Sequence, residues 1–518
     1  MRHTGRRGAF HRMKLSIRPW LIAPLLAFCL ACILIPYPGL EGDECVFGMA
    51  TFGGLAREFC IGIFHHQFPL MIFYYAGSLK GLLFWPILHL FGSNIWSIRL
   101  PVALAGAVTV ALTYDFAQRI ANRTVALIAA FLLATDPVFL LTNTLDWGPV
   151  AVEHVLLLTA LALFIRGRLP LACFVVGLAF WNKAVFVWAL TGLIVGALAA
   201  YGPMVRKQLP SPRVAARCVI AFLIGCAPLL LYNIRQPAST LRSNVHMSFE
   251  GFANKVVSLH YTLDGSDLFG VVAGMDGVTD HTGPRFHDLF LPALLIAVVV
   301  TVWRIRSPET RPAVFALGFC AGSLFLIALT KYTGFAHHLV LIYPMPQLLV
   351  ATAVASVPRR YAAAALAVLL VGANLLVFDT YIAQLRRSGP YGLFTDATFP
   401  LSKSLKDGID HVYPIDAGLW ENVFTMHEGK LQTQPLFVLS QPVDGIQNAL
   451  RDPVAVFVDH VPDREYLAGS GARLEEIART LGLRRVSRRT IYDSNGRGQM
   501  EVFCYGSDRE AVPPDASR

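Results

Sequence analysis

WLIAPLLAFCLACILIPYPGLEGDECVFG, residues 20–48, starts as a run without a single charged residue, Trp20 to Pro36. Within a few residues of that run it places Glu41, Asp43 and Glu44 almost side by side. An uncharged stretch of this length, preceded by Arg2, Arg6, Arg7, Arg12, Lys14 and Arg18, reads as a signal-anchor helix that crosses a membrane once and stays there. Three carboxylates emerging together at its end repel one another unless a cation, water or a reacting partner compensates them.

The rest of the chain extends this pattern. It has 518 residues, 55% hydrophobic and only 15% charged, against about 25% charged in a soluble domain. Apolar runs recur near 19–37, 69–91, 98–118, 124–141, 149–165, 169–182, 184–201, 214–233, 288–303, 312–330, 335–356 and 361–382. The expected fold is therefore an all-α polytopic membrane protein with about eleven spans and added juxtamembrane helices. The net charge of +10 comes from Lys and Arg gathered in short loops, which is a membrane-orientation signal rather than a nucleic-acid surface. Those basic loops fall on one side only if a single early run does not cross. The run 69–91, broken by Gly77, Lys80, Gly81, Pro86 and His89, is expected to be a juxtamembrane or re-entrant helix. With residues 1–18 as a cytoplasmic leader and 19–382 as the membrane domain, Asp43, Asp146, Lys183, the 234–287 loop and Lys331 to His338 open on the outer side. Phe52, Leu55, Ala56 and Phe59 have the spacing of an amphipathic helix lying on the bilayer.

Residues 385–518 are different material, expected to form a small extracytoplasmic α/β domain with a disordered end. VAVFV (454–458) reads as a strand, ARLEEIARTLGL (472–483) as a short helix, and RTIYDSNGRGQMEVFCY as two strands about the Asn495–Gly496 turn. Of the nine cysteines, Cys45 and Cys60 share one polar loop; a disulfide and a pair of free thiols are both open readings.

Chemistry-bearing candidates concentrate at the outer ends of the spans. Asp43 and Glu44 are placed to act as a general base towards a hydroxyl, or to hold a divalent cation through oxygen. Asp146, in TNTLDWGPVAVEH (142–154), is the second acid on that side, with Trp147 as an interfacial aromatic and Glu153 and His154 about a turn into the next helix. Taken singly, either acid reads at least as well as a solvated loop or turn residue. Lys80, Lys183, Arg235, Lys331, His337 and His338 are the cationic candidates for a phosphate, each with an alternative as a snorkelling interfacial residue. If any metal is held, Asp43 and Asp146 are the expected ligands. No Walker loop, dinucleotide fingerprint, zinc spacing or Gly-x-Ser-x-Gly elbow occurs, so phosphate recognition would rest on side-chain charge.

The acidic pair after the first span resembles the integral-membrane glycosyltransferases of the GT-C superfamily. So do FGSNIWSIRLPVALAGAVTVALTYDFAQRI (91–120), ALIAAFLLATDPVFLLTNTLDWGP (126–149) and VVGLAFWNKAVFVW (175–188). The branch they are most similar to is that of the protein O-mannosyltransferases and the lipid A aminoarabinose transferase. The latter's Lys-Pro-Pro motif is missing, and HHQFPLMIFYY stands in its place. The resemblance implies an inverting transfer of a hexosyl or pentosyl group from a polyprenyl-phosphate donor to a lipid, glycan or protein hydroxyl. It also implies a multi-pass protein of the inner membrane whose Asp43 is the base, with no certain cofactor. A transporter or lipid flippase is the competing class; it would place its ionisable residues near the midplane and show internal repeats, whereas here they cluster at span ends. A scaffold acting through its tail would leave Asp43 dispensable.

Overall fold

The computed structural model describes residues 19–53, 58–63, 66–207, 210–244, 247–249, 251–273, 288–331 and 336–507. The first apolar run forms α1 (Ile22–Leu34), and the acidic stretch starts α2 (Gly42–Thr51). Glu41 caps α2 reciprocally with Glu44, and Asp43 and Glu44 occupy the first turn, where the helix dipole favours negative charge. The helix stops at Gly53, whose φ of +81° suits glycine. The amphipathic helix expected over Phe52–Phe59 is thus displaced: the helix comes ten residues earlier because the Glu41 cap starts it there. Phe59 instead opens a strand, and Leu55 and Ala56 lie outside the described residues.

The early non-crossing run is also built differently from a single helix. β1 (Phe59–Ile63) pairs antiparallel with β2 (His66–Phe73), which pairs with β3 (Ala76–Gly77). Only its second half is helical, α3 (Leu79–Phe91), with Pro86 inside it. The β-branched and aromatic residues of "PLMIFYY" favour the extended form there.

The bundle follows with α4 (Ile95–Ile120), α5 (Arg123–Thr135), α6 (Pro137–Leu145), α7 (Val150–Ile165), α8 (Leu169–Asn182) and α9 (Val187–Lys207). Two expected spans are bent. α5 and α6 meet at 61°, and α10 (Pro212–Gly225) meets α11 (Ala227–Arg235) at 68°. At the first bend Asp136 takes an extended conformation before Pro137 and accepts a hydrogen bond from Phe139 N at 2.9 Å, ending one helix and capping the next. The 234–287 loop contains α12 (Ser239–Asn244), α13 (Phe252–Leu263) and α14 (Ser266–Ala273). Asp276, Asp280, His281 and His287 lie outside the described residues. α15 (Phe290–Trp303), α16 (Arg311–Leu329), α17 (Ala336–Leu339), α18 (Met345–Ala355) and α19 (Arg360–Ser388) complete the helical part. Four helices are long and apolar enough to span a bilayer, six if each bent pair counts as one, and six more are shorter apolar helices. These counts are of the described residues and rest on length and composition alone.

Close approach of small residues holds the bundle. A Cβ on Gly192 or Gly196 of α9 would fall 2.5 Å or less from backbone or side-chain atoms of α16. At the far end of α4, Asp115 pairs with Arg119 and with Arg166 beyond α7, so basic loops gather opposite the acidic end of the bundle.

After α19 the chain forms a five-stranded sheet in the order β5-β4-β6-β8-β7. Its strands are β4 (His411–Pro414), β5 (Gln432–Thr433), β6 (Ala455–His460), β7 (Leu483–Tyr492) and β8 (Gly498–Ser507). β4 runs parallel to β5 and β6, and β7 and β8 form the hairpin around Asn495–Gly496. α20 (Thr398–Ser404) and α21 (Leu419–Met426) cover one face; α22 (Val443–Arg451) and α23 (Ser470–Thr480) cover the other. α21 docks this unit on α2: Asn422 Nδ2 donates to Leu40 O and Thr425 Oγ1 to Cys45 O, each at 2.9 Å. The nine cysteines are free thiols, Cys45 buried and Cys60 partly buried.

Candidate active site

The acidic pair separates into two roles. Glu44 is buried, and its two oxygens are held by Arg99 of α4, Nε at 2.7 Å and Nη2 at 2.6 Å. The same guanidinium, itself 0% exposed, donates to the carbonyls of Ile35 and Pro38 at 2.8 Å and of Gly39 at 2.6 Å. Glu44 also accepts from Glu41 N at 3.2 Å. Both oxygens of Glu44 are thus bonded to Arg99, which ties the acid to α4. Its work is to fix the turn between α1 and α2.

Asp43 points the other way and keeps some exposure. Burial pushes its carboxyl above the usual aspartate range, while the charges of Lys183 and Lys80 and a hydrogen bond from Trp147 pull it back. Tyr75 and Glu421 also feel its charge, so the wall around Asp43 includes the β2–β3 turn and α21 of the tail.

Asp146 and Lys80 form a buried ion pair at 2.9 Å, close enough for charge pairing but out of line for a hydrogen bond. Asp146 is left-handed at φ +51° and accepts from Ala151 N at 2.8 Å, which ties the end of α6 to the start of α7. Lys80 also sits over the Phe47 ring, 4.8 Å from its centroid. Lys183, at the end of α8, is buried among the charges of Glu153, Asp43 and Asp146. Its position is set by the backbone: Ala184 N donates to Tyr75 O at 2.7 Å, and Lys183 bridges to Ala76 of the hairpin. Gly148, at φ +68°, leaves room for it, because a Cβ there would stand 2.9 Å from Lys183 Nζ. Asn182 holds Glu153 with a 2.6 Å bond, and His154 contacts Val340 O at 2.9 Å.

The rings of His337 and His338 lie tilted against each other, centroids 4.1 Å apart, with His337 tilted against Trp147 at 4.7 Å and His338 edge-on to Trp188. Both feel the charge of Lys183. Six sequence candidates from five separate segments therefore meet: Asp43, Lys80, Asp146, Lys183, His337 and His338. Arg235 and Lys331 are exposed, and the contacts that define this cluster do not include them.

The cluster does not fit a divalent cation on Asp43 and Asp146. Lysine ammonium groups stand beside both carboxylates. Among the described residues, no three His, Cys, Asp or Glu side chains converge as a metal set.

Arg99 and Glu421 are the residues that sequence reading missed. An arginine four residues into an apolar helix, in "IWSIRLP", is itself a signal, since a charge at that depth needs a partner. Glu421 carries none, because its tail segment reaches the site only through the docking of α21.

A helical bundle with a buried acid–lysine cluster at one end, capped by an α/β unit, can be compared with known proteins. The family model "Dolichyl-phosphate-mannose-protein mannosyltransferase" matches residues 79–232, which contain Lys80, Arg99, Asp146 and Lys183. "Putative mannosyltransferase YkcB" of Bacillus subtilis (strain 168) is 33% identical over 160 residues, 29% of this chain and 22% of that relative. The match thus spans less than a quarter of the relative's length. ArnT from Cupriavidus metallidurans superposes with a TM-score of 0.57 in its apo state and 0.58 bound to undecaprenyl phosphate. The identities are 14% and 15%, over 95% of this chain and 98–99% of ArnT. The Archaeoglobus fulgidus oligosaccharyltransferase superposes with a TM-score of 0.51 at 12% identity, covering 98% of this chain and 76% of that one. The chain thus shares its fold with these transferases, and its segment 79–232 matches the mannosyltransferase family model; its apolar helices make it a multi-pass membrane protein.

Proposed function

We propose that this protein is an inverting glycosyltransferase that moves a sugar from a polyprenyl-phosphate donor to an acceptor hydroxyl at the outer face of the cell membrane. The observation that carries the reading is the placement of Asp43: a carboxylate with a raised proton affinity, two buried lysines beside it, at the end of the bundle where the tail docks. ArnT, which shares this fold, has been seen bound to undecaprenyl phosphate, and that supports a lipid-phosphate donor.

In this reading Asp43 accepts the proton of the acceptor hydroxyl as its oxygen attacks the anomeric carbon. The bond from that carbon to the phosphate oxygen breaks on the opposite side, and the electron pair leaves with the polyprenyl phosphate. A carboxylate pushed up by burial is a stronger base than an exposed one. Lys183, and Lys80 behind it, stabilise the charge gathering on the leaving phosphate, more effectively because the cluster is screened from water. Asp146 is a positioning residue that orients Lys80, and His337, packed against Trp147, borders the same space. No step needs a metal. The basic loops at the opposite end of the bundle support an outward orientation of the cluster, with the α/β unit extracytoplasmic.

The test is transfer by the purified protein with a panel of radiolabelled polyprenyl-phosphate hexoses and pentoses, with nucleotide sugars as controls. Turnover of a lipid-phosphate sugar is expected. Use of nucleotide sugars alone would refute the donor class.

A further inference from the structure

The tail sheet has two faces with different partners. Val412, Leu419, Val423 and Val458 pack together on the face covered by α20 and α21, the side that docks on α2. Neighbouring Tyr413 and Phe457 point to the opposite face, into the layer formed with α22 and α23. On that far face, between β4 and α22, lies a cleft of about 490 Å³. It is a different place from the Asp43 cluster, and its volume falls within the roughly 300–1,000 Å³ of ligand-binding pockets.

Its chemistry is specific. Three side-chain amides, Gln434, Gln441 and Asn448, line it from three separate segments, together with Tyr413 and Asp452. An amide offers donors and an acceptor in one plane, which matches adjacent hydroxyl groups that each donate and accept. Tyr413 is fixed by stacking on Phe457 at 5.6 Å, and its hydroxyl donates to Asp452 at 3.2 Å. His411 Nδ1 binds the same carboxylate at 2.7 Å, and this pairing holds Asp452 below the usual aspartate range, hence ionised. No lysine or arginine is among the residues that line the cleft, and His411 is already paired with Asp452, so the lining offers an anionic ligand no free cation. Leu436, Pro442 and Ala449 supply apolar surface for C–H faces. A peptide added to the free edge at β5 is disfavoured, because that strand is two residues long and Pro435 follows Gln434 without an N–H to donate.

We propose that this cleft binds a neutral oligosaccharide. If the protein is a transferase, the site would hold a sugar of a glycan-bearing acceptor away from the reacting hydroxyl; that use rests on the function proposed above, whereas the binding itself does not.

The test uses the full chain in lipid nanodiscs, since maltoside detergents would present the very ligand class in question. Labelled protein is applied to an array of neutral and uronate-containing oligosaccharides and of unglycosylated peptides. It is compared with the double variant Gln434→Ala/Asn448→Ala, at two exposed positions where truncation costs little stability. The expected result is retention on neutral di- to tetrasaccharides, at least tenfold weaker in the double variant at an unchanged unfolding temperature. Absence of neutral-glycan binding, equal binding by the two proteins, or preference for uronates or peptides overturns the proposal. Because no transfer is measured, this outcome is independent of whether the chain transfers sugar.

Discussion

Replacing Arg99 with methionine removes the group on which the α1–α2 turn is built. Glu44 would be left buried with its charge unmatched, and the carbonyls of Ile35, Pro38 and Gly39 would lose their donor. Breaking a buried ion pair by removing one partner costs about 3–5 kcal/mol, and each orphaned buried acceptor adds to the strain on this turn. The next residue, Cys45, reports the effect directly, because its thiol is fully buried and becomes reactive only when α2 opens. At ~1.4 kcal/mol per tenfold, that cost of about 3–5 kcal/mol should speed thiol labelling of Cys45 in Arg99→Met by about 10²- to 4 × 10³-fold, followed site by site by peptide mass spectrometry. The double variant Arg99→Met/Glu44→Gln should open less readily than the sum of the two singles, since it no longer buries a lone charge. An acceleration below about threefold in Arg99→Met, or strict additivity within ~0.5 kcal/mol, would refute the reasoning that this pair fixes the turn.

Three further outcomes follow from the site and the tail. Lys183 lowers the proton affinity of Asp43, so Lys183→Met should move the acid limb of the pH–rate profile to higher pH and slow turnover at every pH; an unmoved limb would separate the two groups. Gly148→Ala would put a Cβ 2.9 Å from Lys183 Nζ at a left-handed backbone position, and should lower kcat while the protein still folds and binds donor. Burial and the nearby carboxylates of Glu465 and Asp416 push Asp459 up to about 8, so the folded tail binds a proton that the unfolded chain releases above about 4. Stability is then lost as pH rises through that window, and Asp459→Asn should raise the unfolding temperature at pH 8.5 with little change at pH 4.

The sequence exposed the parts of this molecule governed by local rules. Runs such as 98–118 and 312–330 announce helices by length and composition, and the Asn495–Gly496 pair announces its hairpin. Asp43, Asp146, Lys80 and Lys183 were legible because charges beside apolar runs are costly and therefore need a reason. What stayed hidden depends on distant segments. Glu44 is held by Arg99, 55 residues away, and no local pattern distinguishes the two neighbouring acids. The helix at Gly42 and the hairpin after Phe59 both defeated a spacing argument, because four apolar residues at helical intervals cannot outweigh a capping box on one side and strand pairing on the other. Arg235 and Lys331 looked as eligible as Lys183. What distinguishes Lys183 is its backbone contact with the β2–β3 hairpin, a tertiary fact.

The central claim is that Asp43 is the base, and the most direct measurement is the single-turnover transfer rate of Asp43→Asn with a lipid-phosphate sugar that the wild-type protein uses. The substitution keeps the shape of the side chain and leaves the Arg99–Glu44 anchor untouched, so folding, Cys45 protection and donor binding should stay as they were. The rate should fall by about 10²–10⁴-fold, the usual loss when a general base is removed. A variant that kept more than about a tenth of the wild-type rate, well short of that range, would contradict the assignment and place the proton acceptor elsewhere in the cluster.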